Sequence, residues 1–255
     1  MGFIPNKENI LTYWKIILES SPKSEIFKYI FKRLIGIRAN FNDDVYINNG
    51  EAILNCGKLI NNCTVACSQF EKEMLPLISN TKVAVDVGAN IGRHTLAMAK
   101  TGGIVFAIEP DKDSMKLLKQ NISINKMESK IKIIQKACSF EPGIATFYRD
   151  PIYPTSNSIT IKKNETMIEE NVEVDTIDNI CSGYKVDLIK VDVEGGELNA
   201  LKGATKVINT HHPKIIFEAW NKDAANEIID YLIPLGYKTN KIDEFNYLAI
   251  CGDDF

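Results

Sequence analysis

The stretch VDVGANIGRHT, residues 85–95, decides the fold of this 255-residue chain. It overlaps the end of the β-branched run KVAVDV (82–87) and leads into the helix-like TLAMAK (95–100). The pattern predicts a buried strand, a glycine turn and the start of a helix. The first N–H groups of a helix lack partners and its dipole is positive there, so this corner favours an anionic group.

The spacing of the two glycines disfavours a bound pyrophosphate. The dinucleotide fingerprint GxGxxG needs a middle glycine so that the pyrophosphate can touch the backbone. Here Asn90 takes that place between Gly88 and Gly92. A P-loop would continue with Lys-Ser/Thr, whereas this chain continues with Arg93-His94.

Two acidic residues at strand ends suggest what the turn holds instead. Asp86 lies near the end of the first strand, and Glu109 ends the next strand, GIVFAIE (103–109). A carboxylate at the second position can accept both hydroxyl protons of a ribose. Asp86 offers a partner for a positive centre, and the helix end offers one for a carboxylate. Ribose, cation and carboxylate together describe S-adenosylmethionine; the alternative is that both acids are helix N-caps.

Short β-branched runs alternate with helical segments from about residue 82 onward, which predicts a mostly parallel sheet with helices on both faces. The segments KTNKI (238–242) and NYLAICG (246–252) predict a final hairpin that adds one antiparallel strand. Residues 76–255 are therefore predicted to form one α/β domain. A β-hairpin with a long irregular excursion interrupts the alternation at 143–178, and such loops are often functional.

Residues 1–75 lie outside this alternation, and we interpret them as a helical cap or appendage. SEIFKYIFKRLIGI (24–37) has apolar residues at helical spacing. They are Phe27, Ile30, Phe31 and Leu34. Residues 1–40 carry seven Lys or Arg against three Glu, although the whole chain has a net charge of −3. The overall charge gives no attraction to nucleic acid.

Composition and cysteine usage predict a cytoplasmic protein. No apolar run approaches the roughly 20 residues that span a bilayer, and the first residues lack the apolar core of a signal peptide. Of six cysteines, Cys56, Cys63 and Cys67 cluster. No CxxC pair or finger spacing points to zinc, so we expect buried, reduced thiols, with a disulfide inside the cluster as the alternative.

Several motifs together resemble the FkbM-type family of class I S-adenosylmethionine-dependent methyltransferases. They are VDVGANIGRHTL, AIEPD, the Gln120-Asn121 pair and DLIKVDVEGGELNALKG, and the match covers roughly residues 68–220. The resemblance implies the class I sheet with its antiparallel seventh strand. It also implies a set of cofactor-binding residues. They are Asp86, Gly88, Ala89, Asn90 and Gly92 at the methionine part, Glu109 and Pro110 at the ribose, Ala137 and Cys138 beside the adenine, and Glu71 and Asp192 as further contacts.

The strand VDLIKVDVEGG (186–196) carries three charged residues where apolar ones are expected. Lys190, Asp192 and Glu194 share one parity and so point to one side. Burying them is costly unless they pair, so Lys190 is expected to pair with Asp192 or Glu194. Glu218 ends the next strand and is predicted to face the same cleft, with Asn221 close behind.

Methyl transfer is an in-line displacement that needs positioning and removal of a proton. We predict that Asp192 positions donor and acceptor, with Lys190, Glu194 or Glu218 as the base. The alternative is an ion-paired strand end with a purely structural role. The carboxylates with Asn221 could also hold Mg²⁺, which the spacing does not require.

The histidines and one tyrosine are secondary candidates. His94 lies in the first turn of the predicted cofactor helix and could reach the cleft, whereas His211 and His212 are expected in a surface turn. The stretch DPIY (150–153) is similar to the DPPY of amino-group methyltransferases, but it falls in the excursion instead of after the fourth strand. Methylation of DNA bases is thereby disfavoured, and Tyr153 stays a candidate for the acceptor pocket.

The resemblance implies O-methylation, commonly of a sugar hydroxyl in a glycan, lipid-linked saccharide or secondary metabolite. The predicted function is a cytoplasmic O-methyltransferase acting on a carbohydrate. The basic N-terminal residues suggest an anionic or lipid-borne acceptor, or else a lid or dimerisation helix. Two alternatives remain: an RNA methyltransferase whose appended region binds tRNA, and a non-catalytic module that binds the cofactor. The acidic net charge disfavours the first, and the charged strand end disfavours the second.

Overall fold

The computed structural model describes residues 14–34, 41–151 and 153–252. Its strands in chain order are β1 (Ser20–Ser21), β2 (Tyr46–Asn48), β3 (Ile53–Asn55), β4 (Val83–Val87), β5 (Ile104–Ile108), β6 (Ile131–Ile134), β7 (Ala137–Cys138), β8 (Gly143–Arg149), β9 (Ile168–Asp175), β10 (Leu188–Val191), β11 (Lys214–Glu218), β12 (Tyr237–Lys241) and β13 (Asn246–Cys251).

The helices that matter for the site flank these strands. They are α1 (Lys23–Leu34), α2 (Ile60–Ala66), α3 (Leu75–Ile78), α4 (Arg93–Thr101), α5 (Lys112–Ile124), α6 (Ile177–Ile180), α7 (Glu197–Lys202), α8 (Thr205–His211) and α9 (Lys222–Leu232). Residues 14–19 are also helical.

Seven strands form the central sheet in the order β12-β13-β11-β10-β4-β5-β6. The pairs from β11 through to β6 are parallel, and β13 runs antiparallel to both of its neighbours. This confirms the predicted mostly parallel α/β sheet with its antiparallel strand. The central strands β4 and β10 are buried on both faces because helices cover each side, as parallel sheets require.

The register of the central strands sets the position of the charged residues. In the parallel pairing of β10 with β4, Lys190 lies opposite Asp86. The chain order reverses at this pair, since β5 and β6 lie on one side of β4 and β10 and β11 on the other. In open α/β sheets the crevice outside the carboxyl ends of the strands at such a point is where ligands bind.

The excursion between the third and fourth parallel strands forms a second sheet. The hairpin of β8 and β9 is antiparallel, as predicted, and the short strand β7 joins it in the order β7-β9-β8. An antiparallel bridge between Tyr148 of β8 and Ser158 attaches the segment that connects β8 to β9 to the hairpin. This connecting segment is therefore fixed at both ends by the strands and at Ser158 by the bridge.

The prediction of a helical cap or appendage over residues 1–75 is wrong for residues 46–55, where β2 and β3 form a small antiparallel sheet with β1. Helix α1 is present, but of its predicted apolar face Phe27 is 57% exposed, while the neighbouring Ile26 is buried. The side chains of Ile30, Phe31 and Leu34 lie outside the described residues. Ile26 and Leu54 belong to the same hydrophobic core as Leu188 of the central sheet.

The six cysteines are free thiols, and all but Cys251 are buried. The alternative of a disulfide between Cys56, Cys63 and Cys67 is therefore not seen. His211 ends α8 and accepts a hydrogen bond from the Val186 N–H, and exposed His212 follows in the turn before β11. In the described ranges, no helix combines the length and the apolar character needed to cross a membrane.

Candidate active site

The glycine turn after β4 is shaped by the chain's own backbone. Gly88 has φ 83°, and a Cβ atom there would lie 1.8 Å from the carbonyl oxygen of Asp192. The ends of β4 and β10 approach this closely because the Asp192 N–H also donates to the Val87 carbonyl at 3.0 Å. Gly88 is thus required for strand contact, and it brings the glycine turn directly beside Asp192.

Hydrogen bonds hold the rest of the turn rigid. Asn90 has a left-handed φ of 49°, its backbone N–H donates to Glu109 Oε2 at 2.8 Å, and its side chain accepts from the Ile91 N–H. Asn121 of α5 donates to the Ile91 carbonyl and exchanges hydrogen bonds with Asn55 of β3. The motif residue Asn121 therefore ties the turn to the N-terminal strands.

A cavity of about 620 Å³ opens at the carboxyl ends of β4, β5, β10 and β11. Its wall contains nearly every residue predicted for the site. They are Glu71, Asp86, Gly88, Ala89, Asn90, His94, Glu109, Pro110, Ala137, Cys138, Tyr153, Lys190, Asp192, Glu194 and Glu218.

Two predicted positions lie elsewhere. Gly92 is the N-cap of α4 with φ 96°, and it is turned toward Leu118 beneath the turn instead of lining the cavity. Asn221 caps α9 by accepting from the Ala224 N–H, and it is exposed. Asn221 therefore lies outside the set of residues that line the cavity with the carboxylates. Among the residues that the structure describes, no group of His, Cys, Asp or Glu is arranged to hold a metal ion.

Lys190 is a buried cation between two aspartates. Its Nζ lies 3.1 Å from Asp192 Oδ2 and 3.9 Å from Asp86 Oδ1. Burial lowers the pKa of Lys190, but the charges of Asp192, Asp86 and Glu71 outweigh burial and raise it well above its usual value. Of the two predicted partners Asp192 is the one observed. A lysine held charged in this way cannot serve as the base.

Glu194 has a different partner from the one expected. Strand β10 ends at Val191, and Glu194 lies in the following turn with φ 61°, away from the strand parity that predicted its direction. Its Oε2 is 2.6 Å from Nζ of Lys163, which comes from the excursion. Burial raises the pKa of Glu194 to about 7 despite this ion pair. Lys163 was missed because it lies in irregular chain.

Glu218 is the most strongly perturbed of the candidate bases. Burial, then the neighbouring charges of Asp192 and Glu194, raise its pKa to about 9. The indole N–H of Trp220 donates to Glu218 Oε2 at 3.0 Å. At neutral pH Glu218 is therefore protonated, while Glu194 is near the midpoint of its titration.

Four buried polar atoms on residues of the cavity wall have no hydrogen-bond partner. They are Oε2 of Glu71, Oδ1 of Asp86, Nε of Arg93 and Nε2 of His94. Burial lowers the pKa of His94 well below its usual value and raises that of Glu71 to about 7. Buried polar atoms without partners are rare in proteins, and two of these, Glu71 Oε2 and His94 Nε2, lie 3.4 Å from each other. Two carboxylates and a neutral imidazole fit the ammonium and carboxylate of an amino-acid group.

The residues around Glu71 include two that the sequence did not single out. Asn246 of β13 donates to Glu71 Oε1 at 3.2 Å and is itself held by Asp243. Arg93, which directly follows the glycine turn, is buried, lines the cavity and pairs with Glu51 at 3.1 Å. The N-terminal region thus contributes to the cofactor side through Glu71 and through the partner of Arg93.

Glu109 sits at the other end of the same wall. Its carboxylate accepts from the backbone N–H groups of Asn90 and Asp111, each at 2.8 Å. Burial raises the pKa of Glu109 to about 8. Two of the four lone-pair positions of a carboxylate remain for hydroxyl groups. The wall continues to Ala137 and Cys138, which are buried and apolar as an adenine would require.

Comparison with known proteins identifies the family to which the chain belongs. The model of the methyltransferase FkbM domain matches residues 86–239, more than half of the chain. The methyltransferase sdnD of Sordaria araneosa is 24% identical over 182 residues, covering 58% of this chain and 70% of that protein. The hexuronic acid methyltransferase AglP of Haloferax volcanii is 29% identical over 125 residues, covering 49% of this chain and 51% of that protein.

A solved structure supports the fold independently. The crystal structure of a methyltransferase FkbM from Methylobacillus flagellatus has a TM-score of 0.50 and 22% identity, covering 67% of this chain and 43% of that chain. The chain thus spans about half of the length of AglP and less than half of this crystallised protein. The matched segment begins at Asp86 and contains the glycine turn, the charged end of β10 and Glu218. The chain therefore belongs to the family of FkbM-domain methyltransferases, whose methyl donor is S-adenosylmethionine.

Proposed function

We propose that this protein is an O-methyltransferase that transfers the methyl group of S-adenosylmethionine to a hydroxyl of a sugar or sugar-containing molecule. The observation that carries the proposal is the continuity of the cavity. The same cavity is lined by the unpartnered polar atoms and Glu109 and by Asp192, Glu194 and Glu218. Donor and acceptor can therefore meet in one enclosed space, which is the main requirement of the reaction.

The residues on the donor side fit the cofactor group by group. Glu71 and Asp86 would hold its ammonium, His94 its carboxylate, and Glu109 its ribose hydroxyls, with Ala137 and Cys138 beside the base. When bound, the cofactor supplies a methyl group on a cationic sulfonium. Asp192 adjoins the glycine turn through Gly88, so its carboxylate lies at the boundary between the donor and acceptor sides.

Glu194 is the base that the electrostatics favour. A general base works best when its pKa is near the operating pH, and the pKa of Glu194 is about 7. Lys190 stays charged, and Glu218 is protonated at neutral pH. In the proposed reaction Glu194 takes the hydroxyl proton while the acceptor oxygen bonds to the methyl carbon. The carbon–sulfur bond breaks, and its electron pair stays on sulfur.

Two observations favour a sugar over a nucleic acid as acceptor. AglP, with which the chain shares 29% identity, is named as a hexuronic acid methyltransferase. The cavity wall holds eight acidic residues against three basic ones. They are Glu71, Asp86, Glu109, Asp192, Glu194, Glu218, Asp243 and Glu244 against Arg93, Lys136 and Lys190. Binding of nucleic acid depends on neutralising phosphates with Lys and Arg, and the three such residues of this wall are already paired with carboxylates.

The test combines binding with transfer. Calorimetric titration with S-adenosylhomocysteine should show one site per chain. A screen with S-adenosylmethionine labelled in its methyl group, over monosaccharide glycosides, oligosaccharides and tRNA, should then label saccharides only. Absence of binding would overturn the cofactor assignment, and transfer to tRNA alone would overturn the acceptor class.

A further inference from the structure

We propose that the acceptor side of the cavity selects a sugar without an anionic group, and that the partly exposed ring of Trp220, beside Glu218, is part of its platform. The acceptor side is defined as Tyr153, Ser158, Asp192, Glu194, Glu218 and Phe245, with the exposed Glu244 at its mouth. The inference rests on the proposed function and goes beyond it by naming the charge class of the acceptor.

The charge of the acceptor side is the first argument. Asp192 and Glu194 line it, and the turn between β12 and β13 adds Glu244, whereas Glu218, with its pKa raised to about 9, adds no charge at neutral pH. An acidic sugar would bring a further carboxylate into this group. Like charges at close range disfavour each other, most of all where water is partly excluded.

The nearby cations are already committed to carboxylates. Lys163 Nζ lies 2.6 Å from Glu194 and Lys190 Nζ 3.1 Å from Asp192. Among the other cations of the cavity wall, Arg93 pairs with Glu51 at 3.1 Å. Lys136 pairs with Asp175 at 3.0 Å. In the described parts of the chain, each cation that lines the cavity therefore has a carboxylate partner, and an acidic sugar would have to displace one.

Aromatic rings at the mouth are the second argument. Tyr153 is 53% exposed, Phe245 41% and Trp220 38%. Tyr153 and Phe245 line the cavity, and Trp220 is hydrogen-bonded to Glu218. Large exposed apolar side chains beside a cavity mark a binding surface. The C–H faces of a sugar ring pack on such rings, while its hydroxyls reach the carboxylates behind them.

The face of Trp220 already holds a positive group. Nζ of Lys163 lies 3.6 Å from the centroid of its indole ring, a cation–π contact. The Lys163 charge is itself paired with Glu194, so the remaining exposed surface of the ring is left for the weakly positive C–H groups of a sugar. We therefore expect amino sugars and neutral sugars to bind here in preference to uronic acids.

The experiment compares matched acceptors. The probes are the methyl glycosides of glucose, galactose and mannose, each with its uronic acid and its 2-amino counterpart. Binding is measured by saturation-transfer NMR in the presence of S-adenosylhomocysteine, and methyl transfer by release of that product. The neutral or amino form should exceed the uronic acid in both binding and kcat/KM within each series. A uronic acid that binds and reacts equally well or better would overturn the inference while leaving the proposed function intact.

The remaining outcomes separate the two proposals. Preferential binding of the neutral or amino forms without transfer would support the inference and contradict the proposed function. A complete lack of binding and transfer across all nine probes would overturn both.

A charge reversal at the mouth tests the electrostatic argument. Glu244→Lys changes an exposed residue of the cavity mouth that the reaction does not use. At low salt this variant should raise the ratio of kcat/KM for the uronic acid to kcat/KM for the neutral sugar by roughly two- to fivefold. The reason is that the charge near the acceptor changes by two units. Glu227→Lys makes the same change on the exposed face of α9 and is the matched control. Equal effects of both variants would overturn the argument.

Substitutions at Trp220 test the platform. Trp220→Ala should raise KM for the neutral sugars about tenfold through loss of the ring. Trp220→Phe keeps a ring but loses the hydrogen bond to Glu218, so it should restore most of the KM. If KM rises as much in Trp220→Phe as in Trp220→Ala, Trp220 acts only through Glu218 and does not form a platform. The same conclusion follows if Trp220→Ala lowers kcat and leaves KM unchanged.

Discussion

Lys190 and Asp86 face each other across two buried parallel strands, where a charge without a partner would be strongly destabilising. Asp192, two residues beyond Lys190, completes the group at the cavity surface. The spacing of Lys190 and Asp192 predicted their contact because alternate residues of a strand share one side. The partner of Glu194 could not be predicted, since Lys163 lies 31 residues earlier in a segment without periodicity.

Replacing Glu194 tests the assignment of the base. Glu194→Gln keeps the shape of the side chain and an oxygen for Lys163 but cannot take a proton. We expect kcat to fall by about 10²- to 10⁴-fold, the usual contribution of a general base. Affinity for S-adenosylhomocysteine should change little, which calorimetry can check. Glu165→Gln, at an almost fully exposed position of the same excursion, is the control.

The same assay distinguishes Glu194 from Glu218. If Glu218→Gln shows the large loss of kcat and Glu194→Gln stays within about threefold of the wild type, well below the usual effect of removing a base, then Glu218 is the base. A pH profile of kcat/KM that rises through about 7 is expected with Glu194. One that rises through about 9 is expected with Glu218.

Glu71 is the residue for which cofactor affinity should depend most clearly on pH. Its pKa is about 7, and an ammonium group binds the ionised form better. Affinity of the wild type for S-adenosylhomocysteine should therefore increase between pH 6 and 8. Glu71→Gln should bind about 10- to 100-fold more weakly at pH 8, as expected for loss of a charged hydrogen bond, and the increase should disappear.

The matched control for Glu71 is Glu73→Gln, an exposed neighbour in the same segment. Titration calorimetry at three pH values gives the result. An unchanged affinity in Glu71→Gln, or the same pH dependence in both variants, would remove Glu71 from the cofactor site.

At the scale of elements, the glycine turn connects β4 to α4 along the chain. Its first residue, Gly88, also packs against the end of β10. Gly88→Ala would place a methyl group against the Asp192 carbonyl at a positive φ. We expect a loss of about 3 kcal/mol or more in free energy of unfolding, because backbone strain and overpacking add. Urea denaturation measures it. Gly143→Ala is the control, since a Cβ atom there meets nothing within 4 Å and no left-handed φ is required. Similar losses in both variants would contradict this role of Gly88.

The regular elements could be predicted because each long strand and helix shows its own period. The seven-stranded sheet and its antiparallel strand follow from that alternation. The small sheet of β1, β2 and β3 could not be predicted, since strands of two or three residues are too short to show a period of two. The burial of Ile26 instead of Phe27 was missed because the two are adjacent apolar residues and the sequence does not say which one the core accepts.

At the scale of the whole molecule, the N-terminal residues and the sheet share one hydrophobic core. Ile16, Ile26 and Leu54 are buried in the same cluster as Leu96 and Ile216. Glu71 and Glu51 bring the same region into the cofactor side. The division of the chain at residue 75 remains a prediction. In the structure, residues from both sides of it belong to one hydrophobic core.

Because several carboxylates are buried, the free energy of unfolding should fall as pH rises. Most acidic groups, which are stabilised in their ionised form, give the opposite dependence. Glu71, Glu109, Glu194 and Glu218 have folded pKa values of about 7, 8, 7 and 9, against an ordinary 4.5. Between pH 4.5 and the folded pKa of each carboxylate, that group binds a proton in the folded chain but not in the unfolded one. The free energy of unfolding therefore falls as pH rises. This stabilisation is complete below about pH 4.5 and is lost progressively as pH rises to about 9.

We therefore expect the Tm of the ligand-free protein to decrease from pH 5.5 to 9, measured by scanning fluorimetry at constant ionic strength. S-adenosylhomocysteine should raise Tm more at pH 9 than at pH 6, because its ammonium favours the ionised form of Glu71. Glu109→Gln should flatten the decline, since that position no longer ionises. A Tm that rises over this range would contradict the burial of these groups, because carboxylates stabilised in their ionised form give the opposite slope.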